Sequence, residues 1–184
     1  VLAARAAVDQ PTSYCCRTPL WLACGYGHSE CTQLLITAGA AVDLPDNDGA
    51  APLHVACHRG YSECTQLLLT AGAAVDLPDN DGAAPLHAAC GYGHSECTQL
   101  LITASATIDQ PINNGSGGTP LHVACHHGFL DIVRQLLQAG ARSDLRTPDG
   151  QTPLSVANAS GHVAIARLLR THRPRRALAP VTTT

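Results

Sequence analysis

Apolar and polar positions along this chain recur at long range. Paired leucines stand at Leu34 and Leu35, Leu67 and Leu68, Leu100 and Leu101, Leu136 and Leu137, and Leu168 and Leu169. Upstream of each pair lies a Pro-Leu segment, beginning at Thr18, Ala51, Ala84, Thr119 and Thr152, with spacings of 33, 33, 35 and 33 residues. A fixed period of this length marks a repeat architecture. Thr18, Thr119 and Thr152 are suited to cap a helix, and Pro19, Pro120 and Pro153 follow at the first helical position, where a missing N–H costs nothing. About eight residues on come Gly27, Gly60, Gly93, Gly128 and Gly161, where a left-handed backbone ends the first helix. A second helix follows at once, carries the leucine pair and ends near Gly39, Gly72 or Gly140. Pro45-Asp46-Asn47-Asp48-Gly49, copied at 78–82, is turn chemistry. The pattern predicts helix pairs joined by projecting loops. Neither helix of a pair can bury its apolar face alone, so each unit needs neighbours and the stack forms one continuous core.

The period and the core Thr119-Pro120-Leu121-His122-Val123-Ala124, repeated with variations in the other segments, resemble the ankyrin repeat. The resemblance covers nearly the whole chain. It implies an all-α ankyrin-repeat solenoid: two antiparallel helices per repeat, then a loop or β-hairpin at roughly right angles, stacked into a curved slab. On that frame, 1–17 is the truncated end of an upstream repeat plus a loop, and 18–50 and 51–83 are repeats. Segment 84–118 is a repeat with a two-residue loop insertion, 119–151 another repeat, 152–173 a C-terminal capping repeat and 174–184 a disordered basic tail. Residues 2–11 match 102–111, so the chain opens inside a second helix, and a longer parent with at least one more repeat is expected. Ala51 and Ala84 replace the capping Thr, which makes the middle of the array its softer part. Ser105 replaces a Gly, and the Gly-rich 112–118 loop is expected to bend.

Composition narrows the core. Hydrophobic residues are 45% of the chain and aromatics 3%, so the interior is built from Ala, Leu, Val, Ile and Cys, as thin, closely packed helical layers require. Charged residues are 14%, below the roughly 25% of an average domain, which leaves the surface to Asn, Gln, Ser, Thr and His. No stretch reaches the ~20 apolar residues of a membrane span. Val1 begins the chain and Met is absent, as in a piece of something longer or a processed product, and residues 1–9 lack the features of a secretory signal. Net charge is −3, unevenly placed: 1–128 hold three Arg against eleven acids, and 129–184 hold eight Arg against three. An acidic body with a basic end favours a partner of matching asymmetry over a uniformly anionic polymer.

Nine Cys and ten His raise the question of a metal. Cys24, Cys57, Cys90 and Cys125 recur at one apolar slot, and Cys31, Cys64 and Cys97 at another, where the fourth repeat has Ile132. Free Cys is a small core hydrophobe, and close C-x-x-C pairs are missing, so neither a metal nor a cofactor is expected. A zinc- or redox-responsive array would be recognised by stoichiometric zinc. The odd cysteine count at core slots speaks against disulfides and for the cytosol or nucleus. Cys15 and Cys16 are the exposed, reactive candidates. His54, His87 and His122 take the motif position, whose role in the family is structural bonding; Trp21 and Ser155 stand there at the two ends, where the network should be interrupted. No nucleophile, base and orienting acid converge, and Gly115-Ser116-Gly117-Gly118 lacks the Lys and hydroxyl of a phosphate loop, so no enzyme is expected. The Arg173-Pro174-Arg175-Arg176 run is a solvated end or a nuclear-import signal. The acidic body repels phosphate, so nucleic acid is not an expected partner.

The resemblance implies that partners meet the loop tips and the exposed side of the first helices, which line a concave groove. Matching positions are Gly25 and Tyr26; Asn47, Asp48, His58 and Arg59; Asn80, Asp81 and Tyr92; and His126 and His127. Several vary within a frame otherwise copied, which fits contact residues and neutral drift equally. Acidic tips at Asp46, Asp48, Asp79 and Asp81 point to a basic peptide or protein surface. The expected function is a monomeric protein-binding scaffold or adaptor, cytoplasmic or nuclear. The alternative is the targeting or substrate-recognition region of a larger enzyme, such as a kinase, an acyltransferase or a ubiquitin-ligase receptor.

Overall fold

The computed structural model describes residues 8–172. The expectations for residues 1–7 and 173–184, including the arginine run at 173–176, lie outside the described residues. Within them the ten helices come in pairs: α1 (Pro19–Gly25) with α2 (Ser29–Thr37), α3 (Pro52–Arg59) with α4 (Ser62–Thr70), α5 (Pro85–Tyr92) with α6 (Ser95–Thr103), α7 (Pro120–His127) with α8 (Leu130–Gln138), and α9 (Pro153–Ala159) with α10 (Val163–Thr171). The projecting segments are turns, with no strand among the described residues. First helices pack on first helices and second helices on second helices along the stack. One apolar cluster runs between the two rows, from Leu20 through Leu53, Leu86 and Leu121 to Leu169.

The leucine pairs are not equivalent. Leu68, Leu101 and Leu169 are buried, whereas Leu67, Leu100 and Leu168 lie at the edge of the core and Leu34 is 70% exposed. In α8 the leucine pair is displaced by one residue while the buried slot stays the same. Gln135 fills the slot of Leu67 and Leu100, so Leu136 is the core leucine, and the Gln135 amide donates to Ser95 Oγ at 2.8 Å. Cys31 also departs from expectation. Cys64 and Cys97 are buried against the preceding repeat's Thr32 and Thr65, at 3.6 Å each, while Cys31 has no such cover among the described residues and is exposed.

Each first helix ends on a left-handed glycine, and at Gly27, Gly60, Gly93 and Gly128 the next repeat also occupies the space of a side chain. Gly93 has φ 81°, and a Cβ there would stand 2.6 Å from the Phe129 ring; at Gly60 (φ 78°) it would collide with His94. The second helices end the same way at Gly39, Gly72 and Gly140, but Ser105 adopts φ 66° with a side chain attached. Between repeats, Asp9, Asp43, Asp76 and Asp109 accept the backbone N–H of Ala41, Ala74, Thr107 and Arg142 at 2.9–3.0 Å. These aspartates clip successive units together. The tips form a second ladder: the Asn47 N–H donates to the Cys15 carbonyl at 3.1 Å and the Asn80 N–H to the Asp48 carbonyl at 3.0 Å. The 112–118 insertion closes on itself, Ile112 N–H to Gly118 carbonyl at 3.0 Å.

The motif histidines act in the neutral form. His87 Nδ1 accepts the Ala84 N–H at 3.1 Å while Nε2–H donates to the Gln110 carbonyl at 2.9 Å. His122 repeats this with Thr119 and Gln151, and the Thr119 hydroxyl adds a bond to Nδ1 at 2.9 Å. At the two ends the network is interrupted only in part, one of the two histidine bonds being kept at each. The Trp21 indole N–H donates to the Ala50 carbonyl at 2.9 Å, under the Arg17 guanidinium, and Ser155 Oγ accepts the Thr152 N–H at 2.8 Å. The second repeat is the incomplete one. His54 Nδ1 is buried without a partner: it lacks the backbone N–H bond that His87 receives from Ala84, and Ala51 has no hydroxyl to replace it. Ala51 and Thr119 are both buried at the same motif position. Ala51→Thr should supply both a cap and the missing donor, raising stability by about 1 kcal/mol. Ala84→Thr should give less, since His87 Nδ1 is already bonded. Urea midpoints of the two variants check this; an unchanged midpoint for Ala51→Thr contradicts the assignment.

Candidate protein-binding groove

The first helices and the tips enclose a groove. Its central part, about 430 Å³, lies between α3, α5 and the 79–83 turn and reaches Ile112, Val123 and His127. It continues past these residues over α7 to Thr147, Asp149 and Val156, for a further 280 Å³ or so. Ile112 stands where Asp46 and Asp79 open their turns, its N–H bonded to the Gly118 carbonyl as theirs are to Ala50 and Ala83, so an apolar side chain replaces a carboxylate beside the groove. That residue and Val123 carry no sequence signal of their own: Val123 sits in a motif slot shared with Val55 and Ala88, and only the stacking brings the two together.

Of the positions expected to meet a partner, His58, Asp81, Tyr92, His126 and His127 line this groove. Tyr92, 58% exposed, leans on His58 of the preceding repeat with ring centroids 4.0 Å apart. His126 and His127 meet edge to face at 4.9 Å. Tyr26, Asp48 and Arg59 are exposed but stand outside it, Tyr26 packing near His28 of its own repeat at 6.3 Å. Gly25 is a correction: it is buried, and a Cβ there would stand 3.2 Å from Trp21 and 3.4 Å from Val55. The bulky Trp21 takes the place of the smaller motif residue, and Gly25 makes room for it. Asn47 and Asn80 are exposed at the tips, yet their amides already donate to the carbonyls of Tyr14 and Asn47 at 2.9 Å each.

The tip carboxylates divide likewise. Asp46 is buried; it accepts the N–H groups of Asp48 and Ala50 at 3.1 Å and pairs with Arg17 at 3.3 Å. Asp79 accepts from Asp81 and Ala83 at 3.0 and 2.8 Å and faces His54 at 3.5 Å. These two build the turns, leaving Asp48 and Asp81 to face solvent. Burial first, then the nearby Arg59, His54 and His94, holds His58 below the usual histidine range. His127 is lowered by burial, then by His126 and His162. The groove at neutral pH is therefore aromatic and neutral on its helical wall and anionic at its rim.

The six buried cysteines, Cys24, Cys57, Cys64, Cys90, Cys97 and Cys125, serve packing, whereas Cys16 and Cys31 are exposed. Cys24 and Cys57 lie 3.6 and 3.8 Å from Thr32 and Thr65, and burial pushes Cys90 and Cys125 up to about 12. Among the described residues, no group of three or more His, Cys, Asp or Glu could hold a metal ion, and no helix is long and apolar enough to cross a membrane. No curated protein gives a significant match to the chain. The family described as ankyrin repeats (3 copies) matches it in four overlapping stretches, 2–79, 20–112, 63–146 and 86–176. Ankyrin repeats are generally protein–protein interaction modules, and their fold is non-catalytic. With helix pairs stacked along the array and motif histidines in its three middle repeats, the chain belongs to the ankyrin-repeat family.

Proposed function

We propose that this array is a protein-binding scaffold or adaptor without activity of its own, working as a monomer in the cytoplasm or nucleus. Its partner presents a basic peptide or surface to the groove and the tips. The reading rests chiefly on Tyr92, exposed against His58 and flanked by the Asp81 rim. Tyrosine supplies a large contact and a hydrogen bond at modest entropic cost, and such residues dominate interface energies. Tyr26, Arg59, Asp48, His126 and His127 extend the contact along the array. Asn47 and Asn80 contribute their outer faces, their amides being held in the tip ladder.

Affinity capture with the intact array and with a Tyr26→Ala, Arg59→Ala, Tyr92→Ala variant tests this. The captured protein should bind the variant at least about tenfold more weakly. It should also be released as salt rises from 0.05 to 0.5 M, roughly a threefold shortening of the screening length. Equal capture by both forms, or no salt dependence, would contradict the proposal.

A further inference from the structure

The fourth and fifth units leave the shared frame together, on the second-helix face. The first position of that face is Ser29, Ser62 and Ser95 in α2, α4 and α6 but Leu130 and Val163 in α8 and α10. The fifth position is Gln33, Gln66 and Gln99 in the former and Arg134 and Arg167 in the latter, while Glu30, Glu63 and Glu96 give way to Asp131 and Ala164. Serines at the first position satisfy the fold in three repeats, so the core does not demand an apolar residue there, and Val163 is 77% exposed. Leu130, Val163, Ala164 and Leu168 line an open groove of about 1120 Å³ between the two helices, bordered by Arg134, Arg167 and Arg170. Asp131 holds Arg134 at 3.0 Å and Asn158 holds Arg170 at 3.1 Å; the Arg167 guanidinium has no partner among the described residues. Three cations thus face one carboxylate, around an apolar floor. The groove of the proposed function is lined by first helices and turns, and this one by second helices alone.

We propose that the α8–α10 groove docks an acidic amphipathic helix of a partner protein, apolar face on Val163 and Leu168, carboxylates toward Arg134, Arg167 and Arg170. A furrow between two helices accepts a cylinder about 10 Å wide, and anchors at i, i+3, i+4 and i+7 would follow it. The segment 173–184 is excluded as its occupant by charge, carrying three Arg and no acid. A flat anionic bilayer suits the furrow less well, and the acidic body repels it.

The test uses a fluorescent 18-residue helical peptide with leucines at that spacing and glutamates elsewhere, beside a twin with lysines in place of the glutamates. Fluorescence anisotropy should show saturable binding of the acidic peptide and binding of the lysine twin at least about tenfold weaker. A Val163→Asp, Arg167→Glu variant, with unchanged circular dichroism and thermal midpoint, should lose at least about tenfold in affinity, whereas Gln66→Ala should lose none. Equal binding of both peptides, or undiminished binding by the double variant, overturns the proposal. So does failure of the acidic peptide to bind while the same substitutions abolish either attachment to phosphatidylserine vesicles or a concentration-dependent dimer, which would assign the face to a membrane or to a second copy.

Discussion

Acidification from pH 7 to pH 4 is expected to remove about 3 kcal/mol of stability through His87 alone, the product of a shift from 6.5 to about 4 and about 1.4 kcal/mol per unit. The cause is burial, opposed in part by bonds to the carbonyls of Gln110 and Gly118. The geometry fixes the tautomer: Nδ1 must accept the Ala84 N–H and Nε2–H must donate to Gln110, so a second proton would set donor against donor. The unfolded chain takes up that proton near pH 6.5 and the folded chain only near 4. The contribution is therefore complete above 6.5, declines between 6.5 and 4, and declines no further below. His122, lowered by burial, and His54, lowered by burial against the pull of Asp79 and Asp46, add losses of the same sign. Urea denaturation across this range, for the natural chain and for His87→Leu, isolates the term. The stability gap between the two should narrow by about 3 kcal/mol from pH 7 to 4; a constant gap would show that His87 is not held neutral.

Leu101→Ala should cost about 2–5 kcal/mol, because Leu101 is fully buried in the one cluster that joins all repeats. The cavity would lie in α6, packed on both α4 and α8, and neither neighbour can collapse into it without opening its own contacts. Leu100→Ala, one position away and half-buried, should cost less than about 1.5 kcal/mol, and Leu34→Ala, largely exposed, almost nothing. Chemical denaturation of the three variants gives the ranking. Equal losses at Leu100 and Leu101 would mean that the second helices are rotated from the orientation described.

Those leucines show where the sequence stops being informative. The period, the proline starts and the glycine ends are dictated by backbone conformation, which local chemistry specifies strongly, and they were legible throughout. Which leucine of a pair turns inward depends on helix rotation against neighbours, and in α8, where Gln135 takes the outer slot, both leucines of the pair are buried. The bonding network is legible by residue type but not by role. Trp21 and Ser155 look like interruptions, yet each reproduces one of the two bonds of a motif histidine. The groove is half legible: varying positions such as His58 and Tyr92 announce themselves by breaking a copied pattern. Ile112 enters because an apolar residue takes a slot that is Asp in the earlier repeats, and Gly25 leaves because Trp21 and Val55 close over it. Asp46 and Asp79 carry the same charge in the sequence as Asp48 and Asp81, and only their turn bonds separate structural from available carboxylates.

A continuous core requires repeats that stand or fall together through shared interfaces. Trp21 is the sole tryptophan and sits in α1, with two repeats between it and the repeat that holds Leu136 in α8, whereas far-ultraviolet circular dichroism reports every helix. Urea unfolding of Leu136→Ala, followed by both signals, tests the coupling directly. The Trp21 fluorescence midpoint should fall together with the dichroism midpoint in a single transition. A Trp21 midpoint that stays at its original value while the dichroism splits into two steps would contradict a continuous core.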